Sequence, residues 1–250
     1  MQRRWVAAVL GASLLAGCGS SAGQEGTAAG PTTAVPTTAA PTTTLPPTTL
    51  PPTTLQPTTT TTSLFTPLPD RVVGEQAWTP ALTVGGITIV HPSSRVEHIG
   101  FHESSNDGAR RLEPLPTAID PVVLESRERG NDPQTAADVV VDPAVEIRAP
   151  VTGTVLRGGG YTLYCDYSDH YVVIEPDAHP GWEVKILHIA DAFVGRGDRV
   201  VAGETVIAPG PTLLPFPSQV DEVATAKPPW PHVHIEVVDP SIPDRPGPGC

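Results

Sequence analysis

The segment between Gly26 and Pro69 limits what this 250-residue chain can fold into. It has no charged side chain and consists largely of threonine and proline, as in PTTTLPPTTLPPTTLQPTTTTTS. Such a composition cannot bury enough apolar surface to offset the entropy of the chain, and its prolines favour extended conformations. We therefore predict that residues 18–69 form a disordered linker, whose proline-rich part spans on the order of 100 Å at ~3.1 Å per residue.

The N-terminal residues 1–17 have the layout of a secretory signal peptide. Arg3 and Arg4 precede an apolar run from Trp5 to Leu15, and small residues follow up to Cys18. The ending LAGC resembles the bacterial lipobox, in which the cysteine is lipidated. That resemblance implies a lipid anchor on Cys18, with enough acyl chains to hold the protein on the outer face of the bacterial cell membrane. The alternative is an ordinary signal peptide with an incidental cysteine.

The charge of the chain argues against nucleic-acid binding. The net charge is −12 at pH 7, and residues 1–17 contain two arginines and no acidic residue, so the remainder is more acidic still. Nucleic-acid phosphates repel such a protein. We expect no nucleic-acid partner.

Two cysteines remain after Cys18, namely Cys165 and Cys250. Two cysteines in an exported domain are expected to pair, so we predict a Cys165–Cys250 disulfide. The alternative is a buried thiol at one position and an unrelated free thiol at the other.

Residues 70–250 are enough for one domain with a substantial core. They contain short apolar segments between Gly, Pro and Asp turn signals, which favours an all-β barrel or sandwich of mostly antiparallel strands. A helix is expected only around residues 117–129. No repeat or helix seam indicates a dimer, so we expect a monomer. The strand-like segments are GGITIVHPS, VEHIGFHES, ADVVVDP, VEIRAPVTGTVLRGGG, YTLYCDYSD, HYVVIEPD, EVKILHIAD, DRVVAGETVIAPG and HVHIEVVDP.

The last of these strands carries His232 and His234 in the stretch PPWPHVHIEVVDP. Side chains alternate between the two faces of a strand, so both imidazoles and Glu236 share one face. Two imidazoles on one face are suited to a metal-dependent active site. The alternative is a strand whose histidines bond to neighbouring carbonyl groups.

Two hairpin-like segments, VEIRAPVTGTVLRGGG and VGRGDRVVAGETVIA, resemble those of barrel-sandwich hybrid domains. Biotinyl and lipoyl carriers share this pattern, but they need a lysine at a hairpin tip. The two lysines here are Lys185, in a predicted strand, and Lys227, in a proline-rich loop. A carrier function is therefore not supported.

The order of motifs resembles the lysostaphin-like zinc endopeptidases, which cut peptidoglycan peptides. In that family an HxxxD strand, an AP.dGtV hairpin, a YxHL strand, a GD.V..G..I hairpin and a GPHLHFE strand follow one another. Here the counterparts are QTAADVVVDPAVEIRAPVTGTV, VKILHIAD, GDRVVAGETVIA and WPHVHIE, between about Gln134 and Val237. The resemblance implies a barrel-sandwich hybrid fold with a duplicated hybrid motif, bound zinc and a peptidoglycan substrate.

The resemblance also implies roles for individual residues. Asp138 and His234 match metal ligands of the family, and His188 and His232 match its catalytic pair. Gln134 stands where the family has its first histidine ligand, and glutamine is a poor zinc ligand.

Two interpretations deal with this departure. In the first, His102, at the end of an apolar strand, supplies the missing nitrogen, and Glu236 bonds to a ligand's second nitrogen. In the second, the site is inactive, and the domain binds peptidoglycan or activates a partner wall hydrolase. A small-ligand-binding lipoprotein is a further, unrelated alternative.

Overall fold

The computed structural model describes residues 70–117 and 119–246, and here the chain is all-β. Apart from strands it has one short 3-10 helix, Gln219–Val223, and no helix of this region is both long and apolar enough to span a membrane. The strands, in chain order, are β1 (Gly74–Glu75), β2 (Pro80–Val84), β3 (Ile87–Val90), β4 (Arg95–His102), β5 (Glu113–Pro114), β6 (Val122–Val123), β7 (Ala136–Val141), β8 (Ile147–Arg148), β9 (Gly153–Leu163), β10 (Tyr167–Pro176), β11 (Glu183–Ile189), β12 (Arg199–Val200), β13 (Val206–Ala208) and β14 (His232–Val238).

Most of the strands belong to one large sheet. Its strand order is β1-β4-β7-β14-β11-β10-β9-β12, and β6 lies parallel to β4. A β13-β8 pair and a β3-β2-β5 sheet complete the described structure, and their pairings are antiparallel. The prediction of an all-β fold of mostly antiparallel strands is confirmed. Over the residues described, the sheets remain open and do not close into a barrel.

The central strands of the large sheet have one apolar face and one polar face. On β14, Val233 and Ile235 are fully buried in the main hydrophobic core. His232, His234 and Glu236 alternate with them and line a cleft on the opposite face. The predicted sharing of one face by the two imidazoles is therefore confirmed, and its cause is the two-residue period of the strand.

The prediction of a helix around residues 117–129 is wrong. The segment contains β6, Val122–Val123, which pairs with β4. Pro121 directly before β6 lacks the N–H that a helix needs, and β-branched valines suit a strand. The end of the segment is a loop, because its backbone N–H groups donate to the carboxylate of Glu103 instead of to helical carbonyls.

Gly153 marks a close approach of two strands and gives a test of the fold. A Cβ atom at this position would lie 2.1 Å from the carbonyl oxygen of Glu175 on β10. At Gly195 an added Cβ would meet no atom within 4 Å. We expect Gly153→Ala to lower the free energy of unfolding by roughly 1–3 kcal/mol, as overpacking does, and Gly195→Ala to leave it nearly unchanged. Urea unfolding of both variants measures this, and equal stabilities would contradict the strand packing.

Candidate metal centre

Asp138 lies at the middle of the polar face because of strand register. Its strand β7 is flanked by β4 and β14, and Asp138 pairs directly with Gly100 on one side and His234 on the other. His102 is two residues beyond Gly100, so its side chain is on the same face as Asp138. Three strands thus bring together one carboxylate and two imidazoles that are far apart in sequence.

The three side chains make a compact, largely buried group. Nδ1 of His234 is 2.9 Å from Oδ1 of Asp138, and Nε2 of His102 is 3.1 Å from the same oxygen. One candidate donor atom from each residue lies within 4.8 Å of the other two. This group could hold a metal ion.

The hydrogen bonding of His102 favours a cation between the donors. Its Nδ1 lies 2.9 Å from the carbonyl oxygen of Glu103, which can only accept, and 3.4 Å from Nη1 of Arg129; the shorter contact assigns the hydrogen to Nδ1. In the neutral ring Nε2 then has a lone pair. That buried nitrogen has no hydrogen-bond partner among the described residues and faces the carboxylate of Asp138. A proton or a metal ion between this nitrogen and the carboxylate removes the mismatch, and the three donors together could hold a metal ion.

The charges of the group are strongly coupled. Burial alone would raise the pKa of the Asp138 carboxyl, but the neighbouring imidazoles of His232, His102 and His234 hold it well below its usual range. Burial would lower the pKa of His234, but Asp138 and Glu236 raise it to about 9. The site therefore favours cationic species next to its carboxylates.

Glu236 lies beside the group, farther from His234 than the hydrogen bond that was expected. Its Oε2 lies 3.8 Å from Nε2 of His234, the ring nitrogen that faces away from Asp138. Its other oxygen pairs with Nζ of Lys185 at 2.9 Å, and the hydroxyl of Ser104 donates to Oε2. Such an outer partner fixes the orientation of a ligating imidazole.

Gln134 takes no part in this group. It precedes β7, and its side-chain oxygen accepts a hydrogen bond from Arg111, which also pairs with Asp132. The structure thus places His102, and not Gln134, against Asp138. The sequence alone left open whether His102 supplies the missing ligand or the site is inactive.

His188 reaches the cleft through a bulge in β11. Tyr171 pairs with Leu187 and His170 pairs with Ile189, so His188 is an extra residue opposite β10. It has a positive φ of 63°, a backbone conformation that is unusual for any residue except glycine. As a result Leu187 and His188, although consecutive, both line the cleft.

Asp169 holds the ring of His188, and sequence reasoning missed this residue. Oδ2 of Asp169 lies 2.6 Å from Nδ1 of His188. The same carboxylate accepts hydrogen bonds from the hydroxyls of Tyr161, at 2.6 Å, and Thr212, at 2.8 Å. Burial would raise the pKa of Asp169, but these donors lower it below its usual value. The direct cross-strand pairing of Tyr161 with Asp169 is the one signal that could have identified it, and it depends on the hairpin register.

His232 completes the polar face. Its ring lies 5.0 Å from that of His188, centroid to centroid, in a T-shaped arrangement. Its Nε2 is 3.7 Å from Oδ2 of Asp138, and its Nδ1 is 3.4 Å from the hydroxyl of Ser218. Burial lowers the pKa of His232 to about 4, so the ring is neutral at pH 7.

All five predicted residues open into one cleft of about 530 Å³. Its lining includes His102, Asp138 and His234, which form the candidate metal centre, and the predicted catalytic residues His188 and His232. Cys165 is disulfide-bonded. Cys250, its predicted partner, and Cys18, the predicted lipidation site, lie outside the described residues, as do the predicted signal peptide and linker.

Comparison with models of protein families, with curated proteins and with solved structures found no match. The resemblance to lysostaphin-like endopeptidases therefore stays a prediction from the residues.

The ligand choice can be tested by metal binding. We expect His102→Ala to weaken binding of Zn²⁺ by more than about 100-fold, beyond the 10–100-fold loss typical of an outer partner. Gln134→Ala should bind as the unchanged protein does, because Gln134 faces Arg111. Isothermal titration with zinc measures both. The assignment fails if the two variants show the opposite order.

The Asp169 network predicts a pH dependence of stability. A carboxyl with a lowered folded pKa contributes stability above its unfolded pKa of about 4, and this contribution is lost as pH falls through the folded pKa. At pH 7 Asp169→Asn should lower the free energy of unfolding by roughly 1–3 kcal/mol, since buried donors lose their charged acceptor. Urea unfolding in EDTA should show this difference shrinking below pH 4. A difference independent of pH would contradict the network.

Proposed function

We propose that this protein is a zinc-dependent peptidase that cuts the cross-link peptides of peptidoglycan. The observation that carries the proposal is the buried His102, Asp138 and His234 group beside His188 and His232 on an open cleft. Three nitrogen and oxygen ligands with space for a fourth are characteristic of catalytic zinc sites. The donor set of two imidazoles and one carboxylate fits that ion.

Zinc held by these residues would polarise a substrate carbonyl and lower the pKa of a water molecule toward neutrality. Asp169 accepts the Nδ1 hydrogen of His188 and so leaves Nε2 as the nitrogen available to substrate. In its neutral form that nitrogen accepts a proton from the attacking water and afterwards gives it to the leaving amine. Asp169 keeps the ring in this tautomer and orientation.

His232 has a different role in the proposal. Because burial lowers its pKa to about 4, it is a neutral ring at physiological pH. A neutral imidazole beside the metal centre can donate a hydrogen bond to the oxygen on which negative charge develops during the reaction. The two histidines therefore divide proton transfer and charge stabilisation between them.

Location supports peptidoglycan as the substrate. The predicted signal peptide, lipidated Cys18 and linker of residues 18–69 would place residues 70–250 outside the cytoplasm and away from the membrane, within reach of the cell wall. The motif order between about Gln134 and Val237 points to the same substrate. A domain that binds the wall, or that activates a partner hydrolase without cutting, is the alternative.

Cleavage of purified peptidoglycan tests the proposal. We expect the zinc-loaded protein to release new amino groups, detected by labelling and mass spectrometry of the fragments. His188→Ala and His232→Ala should keep zinc but lose at least about 100-fold in rate, as removal of an acid–base group does. His102→Ala should lose both zinc and cleavage.

Gln134→Ala is the matched control and should cleave normally. Zinc-loaded protein that binds peptidoglycan without releasing amines would support the alternative, a wall-binding or activator domain. Protein that neither binds nor cuts would contradict both.

A further inference from the structure

The cleft beside the metal centre has two unlike walls. One is apolar and aromatic: the rings of Tyr164 and Phe216 lie 5.5 Å apart, and Leu214 continues this wall. The other wall carries Arg127 and Arg129, next to His102. A ligand that fits both walls needs an apolar part and an anionic part.

The cationic wall is a built feature and not a chance surface loop. The carboxylate of Glu103, itself buried, accepts hydrogen bonds from the hydroxyl of Ser126 at 2.6 Å and from the backbone N–H groups of Arg127 and Arg129 at 3.0 Å each. Glu128 between them has a positive φ of 56°. A buried carboxylate thus holds a strained turn whose position sets both arginines at the cleft.

The two arginines differ in how they are engaged. Nη1 of Arg129 donates to the carbonyl oxygen of Glu103 at 2.7 Å, the same oxygen that accepts from His102. Arg129 is therefore fixed beside the metal centre. The exposed side chain of Arg127 makes no ion pair or hydrogen bond with the residues that the structure describes, so its guanidinium is available to a ligand.

The other charged groups of the cleft already have partners, and Arg127 also lines a neighbouring pocket with Asp221, Glu222 and Lys227. Lys185 is paired with Glu236, and Asp138 faces the imidazoles. Asp244 accepts hydrogen bonds from the side chain of Asn106 and from a backbone N–H. In a chain of net charge −12, a guanidinium that lines this cleft without an ion pair to the described residues favours an anionic ligand.

We propose that Arg127, with Arg129 beside it, binds a free carboxylate of the peptide substrate near the bond that is cut. A guanidinium binds a carboxylate through two parallel charge-assisted hydrogen bonds, which gives both affinity and orientation. The wall of Tyr164 and Phe216 takes the apolar part of the same peptide. The inference rests on the proposed function and narrows its substrate class to peptides with an unamidated acidic group.

The test compares two cross-linked peptides that differ in one group, a free carboxylate in one and its carboxamide in the other. We expect the full-length, zinc-loaded protein to cut the free acid with a kcat/KM at least about 10-fold higher than that for the amide. This ratio corresponds to the contribution of one hydrogen bond to a charged group. Arg127→Ala should lower cleavage of the free acid to the level of the amide and so abolish this preference. Arg199→Ala is the matched control, because Arg199 pairs with Asp177 and lies outside the cleft lining.

Several results would overturn the assignment while leaving the peptidase proposal intact. They are equal kcat/KM for the two peptides in the unchanged protein, equal losses on both peptides in Arg127→Ala, or loss of zinc from that variant. If neither peptide is cut, the proposed function fails, and carboxylate recognition is then read from binding. Tighter binding of the acid that Arg127→Ala removes supports the inference, and equal dissociation constants contradict it.

Discussion

The buried carboxylate of Asp138 is the constraint on which the site depends. A buried charge is costly unless it is paired and hydrogen-bonded, and Asp138 cannot move to solvent because backbone pairing on both sides fixes β7. Two imidazoles approach the same oxygen within 3.1 Å, and one of them offers a lone pair in place of a hydrogen. A metal ion held by these residues would balance the charge of the carboxylate, and the nitrogen and oxygen donors suit a transition metal.

The rest of the cleft follows from how the sheet separates its two faces. The apolar face forms the core, so the polar face is free to carry chemistry, and the three metal-centre residues lie on rigid central strands. The parts that would meet a substrate come from less regular structure: the bulge at His188, the turn held by Glu103 and the loop of Phe216. Rigid strands position donor atoms accurately, whereas loops can vary with the substrate.

Sequence reasoning predicted those features that depend on short-range pattern. The two-residue period of a strand was enough to put His232 and His234 on one face, and turn signals were enough to predict an all-β chain. The link between His102 and Asp138 depends on which strands are neighbours, and that pairing is a long-range property. The position of His102 at the end of a predicted strand suggested it as a ligand. The register of β4 with β7 brings its side chain next to Asp138.

Other features were beyond local pattern. The bulge that turns His188 into the cleft needs the register of β10 with β11, so Asp169 as its partner was missed. The expected helix around residues 117–129 does not form. Pro121 lacks the N–H that a helix needs, and the backbone N–H groups at the end of the segment donate to the carboxylate of Glu103. In each case a tertiary contact overrides or supplements what neighbouring residues prefer.

Anomalous diffraction at the zinc edge, from crystals of the zinc-loaded protein, would locate a metal ion held by His102, Asp138 and His234. We expect one strong peak about 2.0–2.2 Å from Nε2 of His102, from a carboxylate oxygen of Asp138 and from Nδ1 of His234. The absence of a peak between these atoms, or a peak held by Gln134 instead of His102, would contradict this expectation.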